Sequence, residues 1–219
     1  EMLDSALRDR IVVGAGASAL TGQELAAFAR DAGSDLRGTS RSVVYAGENN
    51  ARLPIAVLGA ASAGVPFVPV NYRLEDNLLV DLIRRQPGCK ILTDAATGVR
   101  LREQGLDVVE YDAWLSSIPR GRPTSALDDD DDTAVVLYTS GTTAAPKAAI
   151  LRHRHVMAYL LGTVEYASAG DEEAVLIAVP PYHIAGIANM LSNLFSGRRL
   201  VYLEHFDADT WLDVVRDQK

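Results

Sequence analysis

The chain has 219 residues, 48% of them hydrophobic and 23% charged, enough for one substantial domain or two small ones around a real core. A formal net charge of -8, with no basic stripe to offset it, excludes a nucleic-acid binder on electrostatic grounds. The single Cys89 excludes an internal disulfide and fits a reducing compartment, so a cytoplasmic location is expected.

Short β-branched runs alternate with longer amphipathic ones along the chain. Strands are expected at 11–13, 42–46, 65–70, 90–93, 108–111, 134–139, 174–179 and 199–203. Helices are expected at 20–32, 53–63, 75–86, 95–104, 153–162, 185–195 and 206–215. Thr21 and Glu24 form a T-x-x-E capping box for the first helix. The small residues of 53–63 suit close packing against a sheet. Residues 134–139 read as a strand buried on both faces, as do 174–179. Asp128 to Asp132 form a run of five carboxylates, a self-repelling linker rather than a metal cage. Strands separated by helices give an α/β fold with a mainly parallel sheet flanked by helices. No apolar run approaches the roughly 18 residues of a membrane span. Glu1, Asp4, Arg8 and Asp9 interrupt any secretion signal at the start.

Two glycine motifs compete for attention. Gly14, Gly16 and Ala19 match G-x-G-x-x-A just after a strand, with Glu48 following the next one. A dinucleotide site needs the helix to begin inside the glycine loop, facing the pyrophosphate. The capping box starts the helix near Thr21 instead, which favours a plain turn. The second motif covers residues 137–148. Tyr138, Thr139, Ser140, Thr142 and Thr143 supply hydroxyls, Gly141 admits close backbone approach, and Lys147 adds a mobile charge. Such a loop suits phosphate oxygens, though Ser, Thr, Gly and Pro also make ordinary polar loops. It is not a Walker A loop: Pro146 stands at the second glycine, and Ala148 at the Mg²⁺-binding Ser or Thr.

Residues 138–147 resemble the adenylate-forming superfamily signature Y-T-S-G-T-T-G-x-P-K-G, with Ala144 and Ala148 where that family has glycine. Residues 20–25 are similar to its L-T-Y-x-E-L segment, 64–74 to G-A-x-x-V-P-x-N-x-R-L, and 181–186 to P-x-F-H-x-x-G. The likeness spans about residues 10 to 215 in the family's order. Asn71, Arg73 and His183 resemble the acyl-CoA synthetase branch; peptide-synthetase adenylation domains usually carry aspartate at the first of these positions.

The resemblance implies the N-terminal part of the adenylate-forming fold. Residues 10–125 would be a first βα half, 126–132 an acidic linker and 133–219 the phosphate-loop half. It implies ATP, Mg²⁺ and CoA as participants, with a fatty or aryl carboxylic acid as substrate. The acid would attack the α-phosphate of ATP, and the CoA thiol would then displace AMP. Thr139, Ser140, Gly141, Thr142, Thr143 and Lys147 would hold phosphates, and His183 would lie beside the reacting carboxylate. No protein metal ligands are expected: His153 and His155 lack partners for a zinc site, and His153 is expected to cap or pack locally. If the missing glycines adopt positive φ, Ala144 and Ala148 would strain the loop. The family's Y-G-x-T-E and T-G-D segments do not occur, so these 219 residues are expected to be a fragment that does not complete adenylation. A catalytically inactive relative serving as a binding module, and an oxidoreductase built on Gly14 and Gly16, are the alternatives. A homo-oligomer is compatible with the sequence.

Overall fold

A computed structural model describes residues 3, 5–121, 132–139 and 146–217. The first part runs β1 (Ile11–Val13), β2 (Leu20–Thr21), α1 (Gly22–Leu36), β3 (Ser42–Ala46), α2 (Leu53–Ala63), β4 (Phe67–Pro69), α3 (Asp76–Arg84), β5 (Cys89–Thr93), α4 (Ala95–Glu103), β6 (Val109–Glu110) and α5 (Tyr111–Ser117). It continues with β7 (Thr133–Thr139), β8 (Lys147–Arg152), α6 (His153–Thr163), β9 (Ala174–Ile177), α7 (Ile184–Ser196), β10 (Arg199–Tyr202) and α8 (Ala208–Asp217).

The strands form two mostly parallel sheets. Six lie in the order β6-β5-β3-β4-β7-β8, parallel throughout except for the β7–β8 pair. Four lie in the order β2-β1-β10-β9, where β1 and β9 flank β10 in parallel and β2 turns back along β1. Alternation along β3 explains how its sheet buries both faces. Val43 and Tyr45 join a core with Phe67, Leu92 and Val135. Val44 and Ala46 face the other way, toward Leu79 and Ile83 of α3.

Tyr45 stacks on Phe67 at 6.2 Å and meets Tyr111 edge-on at 6.1 Å. Burial pushes its phenol far above the ordinary range, so the hydroxyl stays protonated and donates to the Glu48 carbonyl. Nearby side chains tie the two sheets together. Asn49 Nδ2 donates to the Leu203 carbonyl at 3.3 Å, and His205 Nδ1 lies 2.9 Å from the Glu48 carboxylate.

The capping box forms as expected: Thr21 N donates to Glu24 Oε2 at 2.8 Å, and Glu24 N donates to Thr21 Oγ1 at 3.2 Å. The Thr21 backbone N–H, then its hydroxyl, hold the Glu24 carboxyl below its usual range. The small residues of α2 pack on the sheet as expected, in one core with Val43, Tyr45 and Phe67, and they also meet α1 closely. A Cβ on Gly59 would lie 2.7 Å from Ala32 Cβ, and one on Gly33 would lie 2.6 Å from Ser62 Oγ. Small residues are what let these helix axes approach.

Three elements lie outside the sequence expectations. β2 is two residues that also carry the helix cap. In α5, Tyr111, Trp114 and Leu115 are buried at i, i+3, i+4 spacing, but the helix is only seven residues long. β8 is largely exposed and shows no alternation, because it is an edge strand specified by pairing with β7. Strand β9 is also an edge; only Ile177 in it is buried, so it is not the doubly buried strand the apolar run implied.

Gly59→Leu is expected to destabilise the chain by about 1–3 kcal/mol through overpacking against α1, read from urea unfolding followed by circular dichroism. An unchanged unfolding midpoint would refute the tight α1–α2 contact.

Candidate functional site

The antiparallel turn-back of β8 brings the ends of the hydroxyl-rich segment together. Thr139 pairs with Lys147 in the ladder, and Thr139 Oγ1 donates to the Lys147 carbonyl at 3.3 Å. Both residues are exposed. Ser140, Gly141, Thr142 and Thr143, together with Ala144, fall outside the described residues. Ala148 is described, and it lies in strand β8; among the described residues the only non-glycine with positive φ is Ala167. An alanine at 148 is therefore unstrained, and the expected penalty for a missing glycine does not arise there.

A cleft of about 510 Å³ opens where β4 and β7 end. Pro69, Asn71, Tyr138, Thr139, Tyr182 and His183 are among the residues lining it. Its volume is in the range of small-molecule sites. His183 is the N-cap of α7, but its imidazole makes no capping hydrogen bond, so the helix does not consume it. The ring packs against Tyr182 at 4.7 Å, and Tyr182 meets Tyr72 edge-on at 6.1 Å. Gly186 permits this placement: a Cβ there would lie 2.4 Å from the Pro180 carbonyl oxygen, forcing the start of α7 away.

The 71–76 part of the lining is pinned by Arg100, which no sequence pattern singled out. Arg100 Nη1 donates to the Tyr72 carbonyl at 2.9 Å, and Nη2 donates to the Leu74 carbonyl at 3.0 Å and to Asp76 Oδ1 at 2.6 Å. Asn71 Oδ1 accepts from Arg73 N at 3.0 Å, completing a tight turn. Arg100 comes 24 to 28 residues after these partners, so no local pattern marks it.

His153 does not cap its helix. His155 does, its Nδ1 accepting from Arg152 N at 3.3 Å. His153 is half-buried, with an Nε2 that lacks a hydrogen-bond partner. Burial lowers its imidazole below the ordinary pKa, against a smaller opposing effect of Asp132. The glycine run at 14–19 forms a hairpin: Gly16–Ser18 make one 3₁₀ turn, β2 returns along β1, and α1 begins only at Gly22. Its helix N-terminus therefore lies outside the glycine loop, as the dinucleotide objection requires.

The family model for AMP-binding enzymes matches residues 5–219. The chain belongs to the AMP-binding enzyme family. It is 27% identical over 187 residues to a feruloyl-CoA synthase of Amycolatopsis sp, covering 81% of this chain and 36% of that protein. It is 22% identical over 193 residues to indoleacetate–CoA ligase of Aromatoleum aromaticum, covering 81% of this chain and 38% of the relative. The chain thus spans little more than a third of the length of these two relatives.

Among solved structures, the N-terminal domain of FACL13 from Mycobacterium tuberculosis superposes with a TM-score of 0.83 at 20% identity, covering 99% of this chain and 60% of that one. The o-succinylbenzoate CoA synthetase of Bacillus subtilis with its acyl-adenylate intermediate gives 0.81 at 20% identity, covering 99% and 58%. These likenesses establish that the fold is that of the N-terminal region of adenylate-forming enzymes. Among the described residues, no helix is long and apolar enough to cross a membrane.

For His153 the unfolded chain binds the proton more readily than the folded one, so its contribution to stability is intact above about pH 6.5 and is lost as pH falls below that value. His153→Leu is expected to flatten the fall in thermal midpoint between pH 7 and 5.5. An equal fall in both proteins would show that His153 is solvated.

Proposed function

We propose that this chain supplies the phosphate-binding loop and one wall of the acid-activating site of an acyl-CoA synthetase. One observation carries this: residues from three distant motifs, Asn71, Thr139 and His183, line a single cleft, with Lys147 paired to Thr139 at its edge. In this reading the substrate is a carboxylic acid of fatty or aryl type, activated by ATP and passed to CoA. A carboxylate oxygen attacks the α-phosphorus, the bond to the β-phosphate breaks, and pyrophosphate leaves. The CoA thiolate then attacks the acyl carbon of the adenylate and displaces AMP.

Two anions must be held together in the first step, so donors have to be aimed at the outer phosphates. Lys147 supplies the charge there, and Thr139, Ser140, Thr142 and Thr143 supply hydroxyls, with Gly141 admitting the backbone. The N-terminus of α7 at the cleft wall adds partial positive charge beside the carboxylate. His183, whose imidazole is not used in capping, orients the acid or donates to the adenylate. Mg²⁺ would come with ATP and would supply counter-charge to its phosphates. Among the described residues no three His, Cys, Asp or Glu side chains gather as a metal site. A cytoplasmic setting accords with the lone thiol of Cys89.

Titration calorimetry of the 219-residue chain with ATP tests this reading. Lys147→Ala is expected to weaken ATP binding about tenfold, the loss of one charge-assisted contact. ATP affinity unchanged by that substitution would sink the assignment.

A further inference from the structure

The end of α3 grips the hairpin on both sides of the hydroxyl-rich segment. Gln86 Nε2 donates to the Tyr138 hydroxyl at 2.9 Å, just before the segment begins. Arg85 Nη1 donates to the Pro146 carbonyl at 3.2 Å, just after it ends. These partners lie 52 and 61 residues further along the chain, yet they are held by two adjacent residues. The Arg85 fork is oriented by Asp81 one turn earlier, whose Oδ2 accepts from Nη2 at 2.6 Å.

The β7–β8 ladder closes without these bonds, running from Thr133 opposite Arg152 to Thr139 opposite Lys147. Arg85 is exposed, where a polar contact adds little to stability. The helix that leads into the pair is itself fixed. Leu79, Val80, Leu82 and Ile83 are buried in the core, Asp76 is held by Arg100, and Leu82 lines the cleft. Two donors directly after a fixed helix thus define where the hairpin ends stand relative to the cleft.

We propose that Arg85 and Gln86 are positioning residues that set Thr139 and Lys147, at the two ends of the hydroxyl-rich segment, for the outer phosphates of ATP. The inference rests on the phosphate-loop reading above. It distinguishes nucleotides: ATP reaches the loop through its β- and γ-phosphates, whereas AMP has none to be positioned.

The test measures ATP and AMP affinity by calorimetry for the unaltered chain, Arg85→Met, Gln86→Leu, the double variant, Arg85→Lys and Lys147→Ala, with thermal midpoints for each. The double variant is expected to weaken ATP about tenfold while AMP stays within about twofold and the midpoint barely moves. Arg85→Lys, which keeps a donor, should recover most of the loss of Arg85→Met. Lys147→Ala weakening ATP while the double variant matches the unaltered chain would overturn this inference and leave the loop reading standing. Equal weakening of ATP and AMP, or a loss that tracks the thermal midpoint, would make the pair structural only and overturn it as well. Absent ATP binding, or binding indifferent to Lys147→Ala, would overturn the loop reading and this inference with it.

Discussion

The candidate site depends on one antiparallel pairing in a sheet that is otherwise parallel. A parallel strand delivers its chain to the C-terminal edge and must then travel back before pairing again. β8 instead returns directly along β7, so the segment between them leaves and rejoins the sheet at adjacent positions, Thr139 and Lys147. This keeps the lysine and the first hydroxyl at the same edge where β4 ends and where the cleft opens. In open α/β sheets, ligand crevices lie outside the carboxyl ends of the strands, and this cleft obeys that rule.

The rest of the molecule holds that edge in place. β4 connects β3 to β7, so the aromatic and aliphatic packing around Tyr45 and Phe67 determines where Thr139 stands. α3 and α4 cover the opposite face and carry Arg100 and the α3 C-terminus to the cleft. The second sheet is tied in by its ends. β1, from the start of the chain, lies beside β10, nearly two hundred residues later, and Asn49 and Glu48 reach across to Leu203 and His205. α7 connects β9 to β10, and the contact of Gly186 with Pro180 directs its first turn toward the cleft.

Polar groups here are placed by other polar groups rather than by burial alone. Thr139 and His183 are exposed, and their positions come from backbone pairing and a helix cap. The tyrosines behind them do the packing: Tyr72 contacts Tyr182, and Tyr182 contacts His183. Arg73 Nε donates to the Tyr72 hydroxyl at 3.1 Å, a further restraint on that ring. An aromatic ring offers a stiff, broad surface with few rotatable bonds, which suits it to support an imidazole that must remain accessible.

Local patterns in the sequence determined the elements whose causes are local. The capping box started α1, helical spacing of apolar residues produced α3 and α7, and the continuous apolar run produced β7. The loop chemistry at 138–147 and the histidine at 183 were legible because each is a short run of distinctive side chains. Only the tertiary structure decided what depends on partners far along the chain. β8 became a strand because β7 lay open beside it, the parallel strands divided into two sheets because β1 joined β10, and Arg85, Gln86 and Arg100 acquired roles through residues 24 to 61 positions away. The physical reason is that a hydrogen bond across a fold leaves no periodicity in the sequence, whereas a helix face or a cap is written within a few residues.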